Sequence, residues 1–213
     1  MNLSLILIIL LSYMIGSISG AIIVGKFKNI DIRKEGSNNA GATNALRTMG
    51  VAFALIVLFI DIYKGYFATN YIPFLLNENT AQAKILAAFA SILGHVYPLY
   101  FKFKGGKGVG TALGTLFAFP ELSINILTGL LFWVTSLILT GFVGLSSIIA
   151  GIAISIVYLI NNKFILNELA LYSIFISMFF IFTHRENIFR MLKGTENQFK
   201  KIMLINLFKK NDK

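Results

Sequence analysis

The chain has 213 residues, of which 56% are hydrophobic and only 13% charged, against about 25% charged in an ordinary soluble domain; with 20 Phe and long apolar runs, this composition places it in a bilayer. The net charge of +10 then reads as an excess of Lys and Arg on the cytoplasmic side plus contact with anionic lipid headgroups, and no nucleic-acid partner is expected. Cysteine is absent and histidine occurs only twice, which excludes disulfides, thiolate-held metals and a His-rich metal centre, so neither a metal nor a cofactor is expected.

In chain order, apolar runs predict helices over 3–24, 51–75, 82–101, 108–119, 122–140, 142–161 and 165–183. The first lacks the basic leader of a signal peptide and is long enough to span, so it is expected to be retained. The fourth is short for a hydrocarbon core of about 30 Å and must use its glycine-rich flank or be shielded by neighbours. The fold class expected is an all-α membrane protein, a bundle of about seven transmembrane helices, with five or six spans as the alternative count.

Charge orients it. With the N-terminus outside, the inside segments hold Lys26, Lys28, Arg33, Lys34 and Arg47, then Lys102, Lys104 and Lys107, then Arg185, Arg190, Lys193, Lys200, Lys201, Lys209, Lys210 and Lys213. Those are 16 of the 19 basic residues. Lys84 and Lys163 fall outside, and Lys64 lies within the second span. The bias predicts an outside N-terminus and a cytoplasmic C-terminus. No inverted internal repeat is evident. The basic tail QFKKIMLINLFKK is expected to form an interfacial helix within 197–213 or a frayed end, and 1–213 reads as a single integral membrane domain.

Three polar clusters fall on the cytoplasmic side of this topology: GSNNAGATNALR (36–47), GHVYPLYFKFKGGKGVGT (94–111) and THRENIFRMLKGTE (183–196). In the second, Gly105, Gly106 and Gly108 flank Lys107 just before a helix. That pattern suits either an anion-binding nest beneath a helix N-terminus or a flexible basic turn. It is not a Walker loop, because Gly108 stands where Ser or Thr would follow the lysine. In the first cluster, Gly36 and Gly41 permit tight turns, and Ser37, Asn38, Asn39, Thr43 and Asn44 offer short donors. Thr43 to Met49 is predicted as a short helix with a polar side-chain cap. Arg47 offers a planar charged fork for phosphate, or else the stretch is a loop held by Asx-turns and a helix cap in which Arg47 only marks the cytoplasmic face. In the third, His184 and Asn187 are i, i+3 neighbours, with Arg190 and Glu196 close in sequence. His95, before Tyr97-Pro98, reads as a helix-terminating polar group. Asp61 and Lys64 form an i, i+3 pair inside the second span, functional or architectural.

Together the clusters describe a face built to bind two anionic groups. No Ser-His-Asp set or acidic metal cluster accompanies them. Nor is there the His-x4-Asp pattern of soluble lipid acyltransferases, since Tyr100 and Phe189 stand where Asp is needed. Catalysis by positioning anions and stabilising charge fits this inventory.

Five ordered blocks, GSISGAIIVGK, DIRKEGSNNAGATNALRTMG, DIYKG, GHVYPLYFKFKGGKGVGTALG and HRENIFRMLKGTE, resemble the bacterial acyl-phosphate:glycerol-3-phosphate acyltransferases nearly end to end. The resemblance implies a seven-helix bundle in the bacterial inner (cytoplasmic) membrane with its site facing the cytoplasm. It also implies transfer of an acyl group from acyl phosphate to glycerol 3-phosphate, giving lysophosphatidic acid and phosphate, with membrane lipids as surroundings and a monomer as the working form. The glycerol hydroxyl would attack the acyl carbonyl directly, without an acyl-enzyme. Ser37 and Arg47 would bind phosphate, Lys107 with its glycines would hold acyl phosphate, and His184 with Asn187 would grip glycerol phosphate. Asn39, Gly41, Thr43, Asn44, Gly105, Gly106, Gly108, Arg190 and Glu196 would complete the substrate contacts. Departures stand at Asn38, where the family usually has Gly, and at Gly110, where it has Ala. The third is GFVG (141–144), where it carries a basic residue and a serine; Ser146 and Ser147 are then candidate substitutes. An organic-phosphate transporter is the alternative, disfavoured because polar residues other than Asp61 and Lys64 gather at one face.

Overall fold

The computed structural model describes residues 3–203. Among them all regular structure is helical: α1 (Leu3–Gly16), α2 (Gly20–Phe27), α3 (Ala42–Met49), α4 (Val51–Leu75), α5 (Ala81–Val96), α6 (Val109–Leu116), α7 (Ser123–Thr140), α8 (Val143–Asn161), α9 (Glu168–Thr183) and α10 (Arg185–Leu192). Five segments are long and apolar enough to cross a membrane: Leu3–Phe27, Val51–Leu75, Ala81–Phe101, Pro120–Thr140 and Val143–Asn161. Glu168–Thr183 is apolar but shorter. Leu55, Phe59, Leu127 and Leu131 are each at least 60% exposed, a surface suited to lipid rather than water.

Several expected helices are corrected. The first run is not one helix: it breaks at Ser17–Ser19, where the Ser19 side chain accepts from the Ile22 N–H and starts α2. The third stops at Val96, because Pro98 has no N–H to continue the ladder, and a 3-10 turn occupies Leu99–Phe101. The fourth is only Val109–Leu116, which at 1.5 Å per residue rises about 12 Å. The seventh begins at Glu168, capped by the Asn167 side chain accepting from the Ala170 N–H. Of the predicted tail helix, residues 204–213 lie outside the described residues, and 197–203 holds a single 3-10 turn, Lys200–Ile202.

The chain divides into two compact units at Pro120/Glu121. In the first, small residues let backbones touch, as they do where helices associate without a hydrophobic drive. A Cβ at Gly16 would strike the Ser91 carbonyl, and one at Gly94 the Tyr13 carbonyl, which joins α1 to α5. Likewise Gly65 abuts the Thr111 carbonyl and Gly114 the Ile62 carbonyl, joining α4 to α6. The short α6 is thus shielded by α4. In the second unit α7 packs on α8 and α8 on α9. The Ser155 and Ser177 hydroxyls lie 2.6 Å apart, and they bond the Ser173 and Gly151 carbonyls at 2.6 and 2.7 Å, so α8 and α9 satisfy their buried hydroxyls in pairs.

Candidate functional site

The loop from Asp31 to Gly41 is organised from within. Asn44, fully buried on α3, donates to the Ile32 and Glu35 carbonyls at 3.0 and 2.9 Å and accepts from the Ser37 N–H at 2.9 Å. Its side chain, expected to touch substrate, is instead the strut that closes this turn and sets the backbone of Ser37. Gly36 has φ +57, and a Cβ there would strike Asn44 Oδ1. Asn38 has φ +56. That left-handed geometry explains the departure from glycine, since Asn is among the few side chains that adopt it at low cost. The predicted polar cap of α3 is corrected: Gly41 occupies the N-cap in an extended conformation, with no side-chain bond to the helix. Ser37, Asn39, Thr43 and Arg47 are half-buried around this turn.

Arg33 ties the loop to the next one. Its Nε and Nη2 donate to the two Asp31 carboxylate oxygens at 2.9 and 3.0 Å, while Nη1 donates to the Phe101 carbonyl at 3.2 Å. The side-chain hydrogen bond from Arg33 holds the Asp31 carboxyl below its usual range, and Asp31 in turn raises Arg33.

The glycines around Lys107 are explained by contact. The Gly105 and Gly106 N–H groups donate to the Val96 and His95 carbonyls at 3.1 and 3.2 Å. Those two donors therefore cap the end of α5 and are not offered to an anion, which corrects the nest reading for this half of the loop. A Cβ at Gly105 would strike the His95 carbonyl. One at Gly106 would strike His95 Nε2 and lie 2.6 Å from the Ala40 carbonyl. Gly108 has φ +85 and immediately precedes α6. Gly106 is thus the point where the first two polar clusters meet, leaving Lys107, half-buried, between that contact and the start of α6. Gly110 lies against α4, where its ideal Cβ would sit 3.3 Å from Asp61 Cβ; the Ala usual in the resembled family would be close to ordinary contact.

Beneath this loop lies a cluster that sequence reading leaves as separate parts. Lys64 Nζ is 2.9 Å from Asp61 Oδ1, 2.8 Å from His95 Nδ1 and 2.6 Å from the Ile18 carbonyl. All three side chains are buried. The i, i+3 spacing announces the Asp61–Lys64 pair, but nothing in the sequence announces His95 as its third member.

In the second unit His184 sits between α9 and α10, buried, with Nδ1 2.8 Å from the Phe180 carbonyl. Because a carbonyl only accepts, Nδ1 carries a proton directed at Phe180, and the ring is held by that bond. Asn187 Nδ2 donates to Glu196 Oε1 at 2.7 Å, and Arg190 Nε donates to Glu196 Oε2 at 2.6 Å. Glu196 thereby orients both the amide and the guanidinium. Gly141, at φ +70, ends α7, and Gly144 leaves room for Asn187, whose side chain would lie 3.2 Å from a Cβ there. Neither glycine brings a side chain to the site. Ser146 and Ser147 bond back to the Phe142 and Val143 carbonyls within α8. Among the described residues no group of three or more His, Cys, Asp or Glu is arranged to hold a metal.

Lys107 with Arg47, and His184 with Asn187 and Arg190, are groups suited to charged oxygens. The family model described as glycerol-3-phosphate acyltransferase matches residues 6–194. Glycerol-3-phosphate acyltransferase 2 of Bacillus anthracis is 44% identical over 195 residues, 91% of this chain and 98% of that protein. Glycerol-3-phosphate acyltransferase of Bacillus subtilis (strain 168) is 42% identical over 196 residues, 91% and 97% respectively. The crystal structure of PlsY (YgiH), an integral membrane glycerol 3-phosphate acyltransferase, in its glycerol 3-phosphate form superposes with TM-score 0.82 at 35% identity, covering 93% of this chain and 96% of that one. Its lysophosphatidic acid form superposes with TM-score 0.79 at 34% identity, covering 92% and 95%. With glycines, amides and cations placed as described and a match spanning nearly its whole length, this chain belongs to the glycerol-3-phosphate acyltransferase family.

Proposed function

We propose that the protein transfers an acyl group from acyl phosphate to glycerol 3-phosphate, forming lysophosphatidic acid and phosphate in the first step of bacterial phospholipid synthesis. The observation that carries this reading is the family match over residues 6–194, which takes in the first two polar clusters and the third as far as Gly194. Ser37 and Arg47 bind phosphate, Lys107 holds acyl phosphate, and His184 and Asn187 take glycerol 3-phosphate, with Asn187 and Arg190 oriented by Glu196. The glycerol hydroxyl attacks the acyl carbonyl directly and the departing phosphate takes its proton. The protein's part is to hold both anions in line and to neutralise charge as the carbonyl oxygen and the leaving phosphate develop it.

The same reading places the chain in the bacterial cytoplasmic membrane as one functional domain, acting as a monomer, with the polar clusters in the cytoplasm. It crosses seven times from an outside N-terminus. The fourth crossing combines α6 with its non-helical flanks, which α4 shields from lipid. The distribution of Lys and Arg supports this orientation.

Membranes containing the protein, given acyl phosphate and glycerol 3-phosphate and no thioester donor, are expected to form lysophosphatidic acid. Arg47→Ala and Lys107→Ala are each expected to lower kcat/KM by about 10²–10³, the scale for removing one transition-state donor, while insertion is retained. A requirement for acyl-CoA or acyl carrier protein overturns the reading. So does uptake of glycerol 3-phosphate into sealed vesicles with no acyl product, the behaviour of a transporter.

A further inference from the structure

The buried Lys64 ammonium donates to the Ile18 carbonyl at 2.6 Å, lies 2.8 Å from His95 Nδ1 and forms an ion pair with Asp61 Oδ1 at 2.9 Å. The Ile18 carbonyl is within reach because the first span breaks at Ser17–Ser19. One buried cation thus ties the break in the first span to α4 and α5. Nδ1 of His95 faces both the ammonium, at 2.8 Å, and Asp61 Oδ1, at 3.4 Å. The ammonium only donates and is the nearer of the two, which makes Nδ1 an acceptor and puts the proton of the neutral ring on Nε2. Nε2 is the atom against which Gly106 packs. The same histidine takes the Gly106 N–H on its carbonyl at 3.2 Å. His95 therefore holds the residue next to Lys107 at two points, by backbone and by ring edge, while Lys64, itself paired with Asp61, fixes the ring.

Sealing a carboxylate, an ammonium and an imidazole inside a lipid-facing bundle is costly. Helix packing alone would be served at least as well by apolar side chains of similar volume. The cluster's product is a rigid platform beneath a loop that otherwise consists of three glycines and a lysine.

We infer that Asp61, Lys64 and His95 are positioning residues for the acyl-phosphate half of the reaction. They hold the Gly105–Gly108 loop so that Lys107 meets the donor's phosphate, and they touch neither substrate. The inference rests on the acyl-phosphate reading for its kinetic form, whereas the state of the His95 ring can be observed independently of any activity.

Two measurements test it on the full-length protein in detergent or nanodiscs. In 15N NMR of labelled wild type, the two histidines are expected to show opposite tautomers, Nε2–H for His95 and Nδ1–H for His184. A proton on His95 Nδ1 overturns the inference whether or not the protein turns over acyl phosphate. In kinetics, His95→Leu and the charge-neutral double change Asp61→Asn/Lys64→Met are expected to raise KM for acyl phosphate by about 10- to 100-fold, the scale of an ångström's misplacement. KM for glycerol 3-phosphate is expected to stay near wild type. The double change is used because Lys64→Met alone strands the Asp61 charge. His95→Asn keeps an acceptor for Lys64 near the position of Nδ1 and is expected to restore most of the loss. A merely structural role lowers kcat in step with the amount of folded protein and leaves both KM values unchanged; that result, or an equal rise in both, overturns the inference. Wild type that makes no product from acyl phosphate refutes the proposed reaction instead, and the tautomer then decides the platform by itself.

Discussion

Gly106→Ala and Gly110→Ala are the same substitution four residues apart, and the structure separates their outcomes. At Gly106 the new Cβ would lie 2.6 Å from the Ala40 carbonyl, against 3.4 Å for ordinary contact, and would overlap His95 Nε2 as well. Relief requires a shift of about 0.8 Å away from the Ala40 carbonyl and, as well, a larger displacement from His95 Nε2. The obstructing atoms are a backbone carbonyl and a ring pinned by Lys64, so neither yields cheaply. Overpacking of this kind costs about 1–3 kcal/mol of stability. The displaced loops carry Lys107 and Ser37, and a misplacement near an ångström costs about 10²-fold in rate. At Gly110 the nearest atoms are Asp61 Cβ at 3.3 Å and Leu58 Cδ1 at 3.6 Å. Adjustment there is a few tenths of an ångström, offset by the better helix propensity of Ala, so stability should stay within about 1 kcal/mol of wild type. The assay is the initial rate of lysophosphatidic acid formation from acyl phosphate, paired with thermal unfolding in the same detergent. Wild-type kcat/KM in Gly106→Ala, or an equal loss in Gly110→Ala, would show that the two loops do not meet as described.

Glu196→Gln retains one acceptor but removes the charge that holds Asn187 and Arg190 together. KM for glycerol 3-phosphate is expected to rise about tenfold, one charge-assisted contact's effect, and initial rates across a range of that substrate check it. Asn38→Gly should leave the unfolding temperature nearly unchanged. Asn38→Val, forced to φ +56, should lose about 1–2 kcal/mol in the same measurement. Asp31 is held below its ordinary value of 3.8 by Arg33. Its contribution is therefore fully present above that value and is lost as pH falls through the lowered one. Acid-induced loosening of the Arg33–Phe101 link, followed by proteolysis of the 29–37 loop, should disappear in Asp31→Asn, which is loosened at every pH.

The ends of helices were legible where a local chemical signal exists. α4 runs over Val51–Leu75, as the apolar run from 51 to 75 predicts, and α8 begins and ends within a residue of its predicted bounds. The break at Ser17–Ser19 was not legible. Serines are tolerated within apolar helices, and the Ile18 carbonyl that the break leaves outside the helical ladder finds its donor in Lys64, 46 residues away. The fourth run likewise reads as a longer helix than α6, Val109–Leu116, because local hydropathy measures transfer to lipid and not where the helical ladder stops.

The candidate site shows the same division. The residue types, their blocks and the apolar runs between them were determined by the sequence alone, because hydropathy and charge act residue by residue. Which of those residues can face a ligand was decided by tertiary structure. Asn44 and Asn39 are chemically alike in sequence, yet Asn44 spends its amide closing the 32–37 turn. Gly105 and Gly106 invite an anion in sequence, yet their N–H groups are taken by the end of α5. His95 read as a helix end, and only the folding of α5 onto α4 brings it to Lys64. Hydrogen bonds are short and directional, so their allocation among like residues is settled by which backbones meet, and that is a property of the packed chain rather than of any segment of it.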